Sequence, residues 1–185
     1  MQSIKLGDSA NVSEIILGSH TGTHIDAPSH VIEGGMTIDE IPLENMNGKA
    51  KVVDVTGYDD IDRDFLSGYD IDADAILLFK TNTSLNWKCD SILEEYPTLT
   101  YEAADYLAER KIKMVGIDYL TIERPRRKRM DGKSVHKSLL WNNILICEAL
   151  NLRDVAAGEY TFYCLPLKIC NADGCPVRAA LDFIG

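Results

Sequence analysis

Short apolar runs separated by turn residues dominate the chain. Runs rich in Val, Ile, Leu, Phe and Tyr, bounded by Gly, Asp and Asn, predict strands at residues 13–17, 51–55, 75–80, 113–117, 144–150, 160–165 and 176–183. Asp173-Gly174, between the last two, predicts a hairpin-like reversal with a wide loop. Helical spacing is rarer. Over 100–111, Ala103, Ala104, Leu107 and Ala108 form a stripe behind a suitable N-cap, Thr100. Glu102 lies in the first turn, and Arg110 and Lys111 suit the negative end of the helix dipole. A second, short helix is predicted over 135–141, with Asn142-Asn143 able to stop it in the left-handed region. Strands outnumber helices, and the better helix falls between two strands. The pattern therefore predicts an α/β (α+β) fold with a sheet as its main body and few helices. No repeat, low-complexity tract or linker divides residues 1–185, which read as a single domain.

Composition narrows the class. With 185 residues and 45% hydrophobic content, the chain can bury about two-thirds of its unfolded surface, and disorder is excluded for most of its length. No apolar run approaches the roughly 18 residues of a membrane-spanning helix. The first twenty residues lack the pattern of a secretory signal. Lys and Arg total 19 against 29 Asp and Glu, a net charge of −10, which disfavours nucleic acid and anionic membranes as partners. The five Cys are odd in number, scattered and without a CxxC pair, so reduced thiols and a cytoplasmic location are expected.

The chemistry concentrates in one window. Three of the four His lie in His20-Thr21-Gly22-Thr23-His24-Ile25-Asp26-Ala27-Pro28-Ser29-His30. Gly22 and Pro28 argue against a helix there. In an extended segment His20, His24, Asp26 and His30 share one parity, and Gly22 leaves room on that face for an ion or ligand. Pro28 is expected to bend the chain and take His30 out of that register. Neutral imidazoles and a carboxylate on a stiff backbone form a donor set for a divalent ion such as zinc, at about 2.0–2.2 Å.

A second feature lies far downstream. The run 144–150 (Ile-Leu-Ile-Cys-Glu-Ala-Leu) reads as a strand buried on both faces that carries one carboxylate, Glu148. A charge in such a strand must be paired or must ligate a metal, unless the strand alternates and Glu148 reaches water. His136 heads the short helix that precedes this strand. A helix and a return strand could bring His136 and Glu148 to one point; on its own, His136 would be a surface or capping residue. Two carboxylates among these residues could each bridge a pair of ions, an arrangement that lowers the pKa of a bound water to about 7 for hydrolysis.

On these residues the sequence resembles the cyclase superfamily of metal hydrolases, which includes bacterial kynurenine formamidases. The family motif, His-x-Gly-Thr-His-x-Asp-x-Pro-x-His, is met at every fixed position over 20–30. A later His-x2-Leu-Leu-x7-Glu element is matched over 136–148, with weaker agreement at 115–118, 165–168 and 173–179. The resemblance implies a swivelling β/β/α sandwich around a strongly curved mixed sheet, assembled as a homodimer or homotetramer with substrate pockets near the subunit contact. It implies two zinc ions per subunit, with manganese as the alternative. His20 and His24 would hold the first ion, His136 the second, with Asp26 and Glu148 bridging, and His30 would be the proton donor and acceptor. The implied activity is that of an arylformamidase of tryptophan catabolism, hydrolysing N-formylkynurenine to kynurenine and formate through metal-bound hydroxide. Hydrolysis of a cyclic amide or lactone of the isatin type, or a non-catalytic metal-binding role, are the alternatives. Family members commonly carry one further strand and a substrate-facing aromatic before the motif. Here the motif begins at residue 20, and a changed pocket wall is expected.

Three other features read as secondary. The basic run around Pro125, from Arg124 to Arg129, is expected to be a solvated loop near the pocket that helps an acidic substrate. The acidic clusters at 59–64 and 70–74 lack the features of a calcium loop and are expected to be solvated turns. Trp87 and Tyr119 are expected to cover core.

Overall fold

The computed structural model describes residues 1–86, 95–124 and 133–183. Its strands are β1 (His24–Asp26), β2 (Asn47–Asp54), β3 (Asp60–Ile61), β4 (Ile76–Lys80), β5 (Thr98–Leu99), β6 (Met114–Ile117), β7 (Leu145–Glu148), β8 (Gly158–Tyr163), β9 (Gly174–Pro176) and β10 (Ala180–Phe183). Three α-helices accompany them: α1 (Arg63–Ser67), α2 (Tyr101–Glu109) and α3 (Val135–Trp141). Eight strands form one mixed sheet in the order β10-β8-β2-β4-β6-β7-β1-β9, and β3 and β5 form a separate pair. The four central strands run parallel, while β8 and β10 on one side and β1 and β9 on the other pair antiparallel.

The connections show that this sheet is curled. β9 and β10 are its opposite edges, yet only Val177, Arg178 and Ala179 join them. That link spans at most about 14 Å, whereas eight flat strands would extend about 34 Å across. The sheet must therefore close toward itself, as a half-barrel. Two apolar cores follow from strand alternation. Val53, Leu77, Phe79, Val115, Ile117 and Ile146 pack with Leu66 of α1, Leu107 of α2 and Leu139 of α3. Val52, Ile76, Leu78, Met114, Leu145 and Cys147 face the other way and meet Ile25, Phe162 and Cys175 from both flanks of the sheet. The α+β architecture with few helices is that expected from the sequence.

Local chemistry explains the helices. The Thr100 hydroxyl accepts from Ala103 N–H at 3.2 Å, and Ser134 caps α3 through Lys137 N–H at 3.4 Å. Asn143 then takes φ 57°, ending α3 where the sequence placed its stop. Four expectations are corrected. Residues 13–17 form no strand: no neighbouring strand pairs with them, and Ile15 and Ile16 are exposed. The 176–183 run is two strands on opposite sheet edges. Asp173-Gly174 does not close a hairpin, because β8 pairs with β2 and β10 while β9 pairs with β1. In the acidic cluster Asp62 is more than a solvated turn: its side chain accepts from Phe65 N–H at 2.8 Å and starts α1.

Candidate metal centre

Strand register brings the two halves of the site together. β1 lies antiparallel to β7 with His24 opposite Glu148, so the two side chains emerge side by side on the helix-covered face. Asp26, two residues on, shares that face, and Ile25 between them enters the other core. Before the strand, Gly22 takes φ 64° and reverses the chain, which places His20 against Asp26 by a turn rather than by strand parity. After it, Pro28 opens a 3-10 turn, Pro28–His30, that brings His30 back over the cluster. The His20 and His30 ring centroids lie 4.0 Å apart. From the far side, the first turn of α3 presents His136 to the last residue of β7.

Donor atoms converge around the two buried carboxylates. Asp26 Oδ1 lies 2.8 Å from His20 Nδ1 and 3.3 Å from His24 Nε2, and Asp26 Oδ2 lies 3.7 Å from His136 Nε2. Glu148 Oε2 is 3.6 Å from His24 Nε2 and Oε1 is 3.1 Å from His136 Nε2. Each carboxylate thus turns one oxygen to His24 and the other to His136, and Asp26 Oδ1 also meets His20. Glu148 is 4% exposed and does not reach water; Oε1 also accepts from Ile122 N–H at 2.7 Å.

The opposite nitrogen of each of these three imidazoles is also engaged. His24 Nδ1–H donates to the Gly22 carbonyl at 2.8 Å. His20 Nε2–H donates to Asp173 Oδ2 at 3.1 Å, and His136 Nδ1–H to Glu123 Oε2 at 3.0 Å. These contacts shape the charge states. The hydrogen bond to Asp26, aided by Asp173, raises the His20 pKa to about 9 against some loss from burial. Burial opposes charge on His136, but Glu123 and Glu148 outweigh it and push the pKa up to about 10. His24 is raised in the same way, burial being outweighed by Asp26 and the Gly22 carbonyl. Burial would lift Asp26, yet His20 and His24 hold it well below the carboxylate range. Burial likewise opposes ionisation of Glu123, but bonds from His136 and Ser134 hold its pKa at about 2. Protons on the imidazoles here supply the positive charge that the carboxylates demand.

The residues fit divalent cations. Donors about 2.0–2.1 Å from one tetrahedral ion stand roughly 3.3 Å apart, and the distances above run from 2.8 to 3.7 Å. Two groupings, His20–Asp26–His30 and His24–Asp26–Glu148, each gather three donor atoms within 4.8 Å of one another. Asp26 Oδ2 is buried and accepts no hydrogen bond, a costly state for a carboxylate oxygen unless a cation meets it. A cavity of about 590 Å³ opens beside the cluster, lined by His20, His24, His30, His136 and Glu148 together with Val31, Leu120 and Lys137.

All six residues singled out from the sequence meet at this point. Sequence reading missed Glu123, and it took Asp173 and Gly174 for a reversal and a weak family match without placing them at the site. A Cβ on Gly174 would lie 2.7 Å from His20 Cε1 and 3.0 Å from the Ile25 carbonyl, so the bare backbone there makes room for the His20 ring. It also missed the support under Glu148. Ala149 takes φ 54°, its N–H bonds Tyr119 O at 2.7 Å, and its carbonyl accepts from Thr23 Oγ1 at 2.6 Å. Of the basic run only Arg124 falls among the described residues. It is a structural tie rather than a solvated charge, donating to Tyr96 O at 2.6 Å and pairing with Glu95. Tyr119 packs against Tyr96 with ring centroids 4.0 Å apart and planes tilted by 43°, while Trp87 lies outside the described residues. Cys147, Cys164, Cys170 and Cys175 are free thiols. No helix among the described residues is long and apolar enough to cross a membrane.

Comparison with known proteins gives the family. Residues 3–124 match the family model described as "Putative cyclase". A kynurenine formamidase of Bacillus cereus is 31% identical over 94% of this chain and 80% of its own length. Among solved structures, one described as a potential metal-dependent hydrolase with cyclase activity superposes with a TM-score of 0.82 at 38% identity, covering 91% of this chain and 81% of that one. Isatin hydrolase A from Labrenzia aggregata, bound to benzyl benzoate, superposes with a TM-score of 0.77 at 28% identity, covering 91% and 75%. With the family model, the shared fold and identity over nearly the full length in agreement, the chain belongs to the cyclase family.

Proposed function

We propose that this protein is a metal-dependent amide hydrolase that cleaves an aryl formamide of the N-formylkynurenine type, releasing the arylamine and formate. One observation carries the reading. Buried Asp26 and Glu148 each turn one oxygen to His24 and one to His136, and one of those oxygens, Asp26 Oδ2, lacks a hydrogen bond. The kynurenine formamidase relative supports the substrate class.

In this proposal His20 and His24 hold one divalent cation and His136 a second, with Asp26 and Glu148 shared between them. Zinc is the expected ion and manganese the alternative. When bound, the pair supplies Lewis acidity toward a carbonyl oxygen and makes water acidic enough to act as a nucleophile near neutral pH. The chain's own side chains do the rest. His30 sits at the rim on its 3-10 turn, and its role is to carry a proton to the departing amine nitrogen. Val31 and Leu120 offer apolar surface to an aromatic ring. Lys137, exposed at the same cavity, suits a carboxylate on the substrate.

Opening of a cyclic amide is the second reading, favoured by the superposition on isatin hydrolase A. A homodimer or homotetramer is proposed as the working assembly, supported by the exposed apolar residues Leu6, Ile15, Ile16 and Leu17. A cytoplasmic location is proposed on the free thiols. The deciding experiment loads metal-stripped protein with zinc or manganese and assays N-formylkynurenine beside isatin. Metal-restored turnover of the formamide is expected. Preference for isatin selects the second reading, and no turnover of either by fully loaded protein rejects both.

A further inference from the structure

Two carboxylates stand behind the cluster, Glu123 and Asp173. Glu123 Oε2 accepts three hydrogen bonds: from His136 Nδ1–H at 3.0 Å, His136 backbone N–H at 3.3 Å and the Ser134 hydroxyl at 2.8 Å. The carboxylate is thereby fixed at the start of α3, and His136 is held with Nδ1 protonated and Nε2 toward Glu148 and Asp26. Asp173 does the reverse to His20. It takes the proton on Nε2 at 3.1 Å and leaves Nδ1 facing Asp26 Oδ1 at 2.8 Å. The two carboxylates thus back opposite ring nitrogens and select opposite tautomers once each ring gives up one proton to a metal, whereas the far nitrogen of His24 meets only a neutral carbonyl.

We propose that Glu123 and Asp173 are positioning residues, each setting the affinity of one cation position independently of the other, Glu123 through His136 and Asp173 through His20. The inference rests on the two-cation reading above. Its physical basis is general. A carboxylate behind a ligating imidazole fixes ring orientation and tautomer and raises the basicity of the ligating nitrogen, and its loss weakens metal binding by about 10–100-fold. The novelty lies in the division of labour. The carboxylates sit on different connections, one before α3 and one before β9, and neither contacts the histidine that the other holds.

The test is a zinc titration of metal-stripped protein against a competing chelator, on the wild type, Glu123→Gln and Asp173→Asn. In parallel, nitrogen-15 imidazole spectra of the zinc-loaded proteins, whose ligating rings keep a single proton, report each ring's tautomer. The wild type is expected to take up two zinc ions. Glu123→Gln should weaken one uptake step by about 10–100-fold and disturb the His136 tautomer only, and Asp173→Asn should do the same to the other step and to His20. Ser134→Ala removes the cap of α3 and one of the three bonds to Glu123 Oε2 but leaves both Glu123–His136 bonds. It should lower the metal-free melting temperature with little change in zinc uptake. If it weakens zinc as much as Glu123→Gln does, Glu123 is merely structural and the proposal fails. Two ions bound as tightly by the variants as by the wild type, or both variants losing the same step, also overturn it. Should Glu123→Gln not fold, Asp173→Asn on its exposed loop still decides, by losing one step or neither. A wild type that binds no zinc refutes the metal reading itself, which is a separate outcome.

Discussion

The two walls of the cavity are built on opposite plans. One wall comes from eleven consecutive residues, where two turns and a three-residue strand deliver His20, His24, Asp26 and His30. The other joins His136 and Glu148 across a helix and a strand, with Glu123 fastened behind. Exposure divides the first wall itself: His24 and Asp26, 5% and 1% exposed, are as buried as His136 and Glu148, at 13% and 5%, while His20, His30 and Asp173 open to 26%, 31% and 47% at the rim. A buried wall, fixed by several hydrogen bonds, suits a constant charge. The open wall can exchange a substrate and move a proton. Chemistry that needs both is served by setting them face to face across one strand pair.

The hardest break removes the group common to both walls. Asp26→Ala takes away the carboxylate that faces His20 and His24 with one oxygen and His136 with the other. Loss of both zinc ions is expected on elemental analysis, with turnover down by at least about 10³-fold. The metal-free protein should lose about 3–5 kcal/mol in urea unfolding, since buried charge is left without its partner. His30→Ala attacks the open wall alone. Zinc content should stay at the wild-type level while kcat falls by about 10²–10⁴-fold. Loss of an ion instead would make His30 a ligand, as its place in a donor grouping with His20 and Asp26 allows.

Changing pH separates protons from metal ions on the same imidazoles. His20 and His136 have folded pKa values of about 9 and 10, raised from the ordinary 6.5. Groups raised in this way stabilise the fold fully below pH 6.5, and their contribution disappears as pH rises through 9 and 10. The melting temperature of the metal-free protein should accordingly fall from pH 6.5 to 9. Zinc must displace a proton from each ring, so its affinity should rise over the same window, by up to about tenfold per pH unit for each proton released. Calorimetry in buffers of different ionisation enthalpy counts those protons. Zinc binding that ignores pH would mean that these rings are not ligands.

The two walls also differ in how far the sequence announces them. The β1 wall is local: turn residues and parity within one window suffice to bring His24 and Asp26 to one face. Glu148 stands out as a carboxylate inside an apolar run, and His136 as the histidine one short helix away. Glu123 carries no such mark, and Asp173 is marked only as a turn residue in a weak family match. Their roles depend on contacts 13 and 153 residues along the chain, and the second exists only because β9 pairs with β1. The same cause defeated the hairpin expected at Asp173-Gly174. Turn chemistry shows that the chain reverses but not which strand it joins, and curling of the sheet decided that. Residues 13–17 failed in the opposite sense, since β propensity without a neighbour makes no strand.

The mildest test acts on the open wall through the backbone. Gly174 on β9 lies opposite Asp26 on β1, and a methyl group there would stand 2.7 Å from His20 Cε1 and 3.0 Å from the Ile25 carbonyl. The carbonyl belongs to the paired strand and cannot retreat without loosening the ladder, so the His20 ring must shift instead. Gly174→Ala should cost about 1–3 kcal/mol of stability from overpacking. It should weaken the ion held by His20 by roughly tenfold, the low end expected when support for a ligating imidazole is lost. His136 contacts neither Gly174 nor Asp173, so the second ion should bind as in the wild type. Equal weakening of both ions would show that the walls are mechanically coupled through β1, and the contrast between them would then describe how the site is assembled but not how it binds.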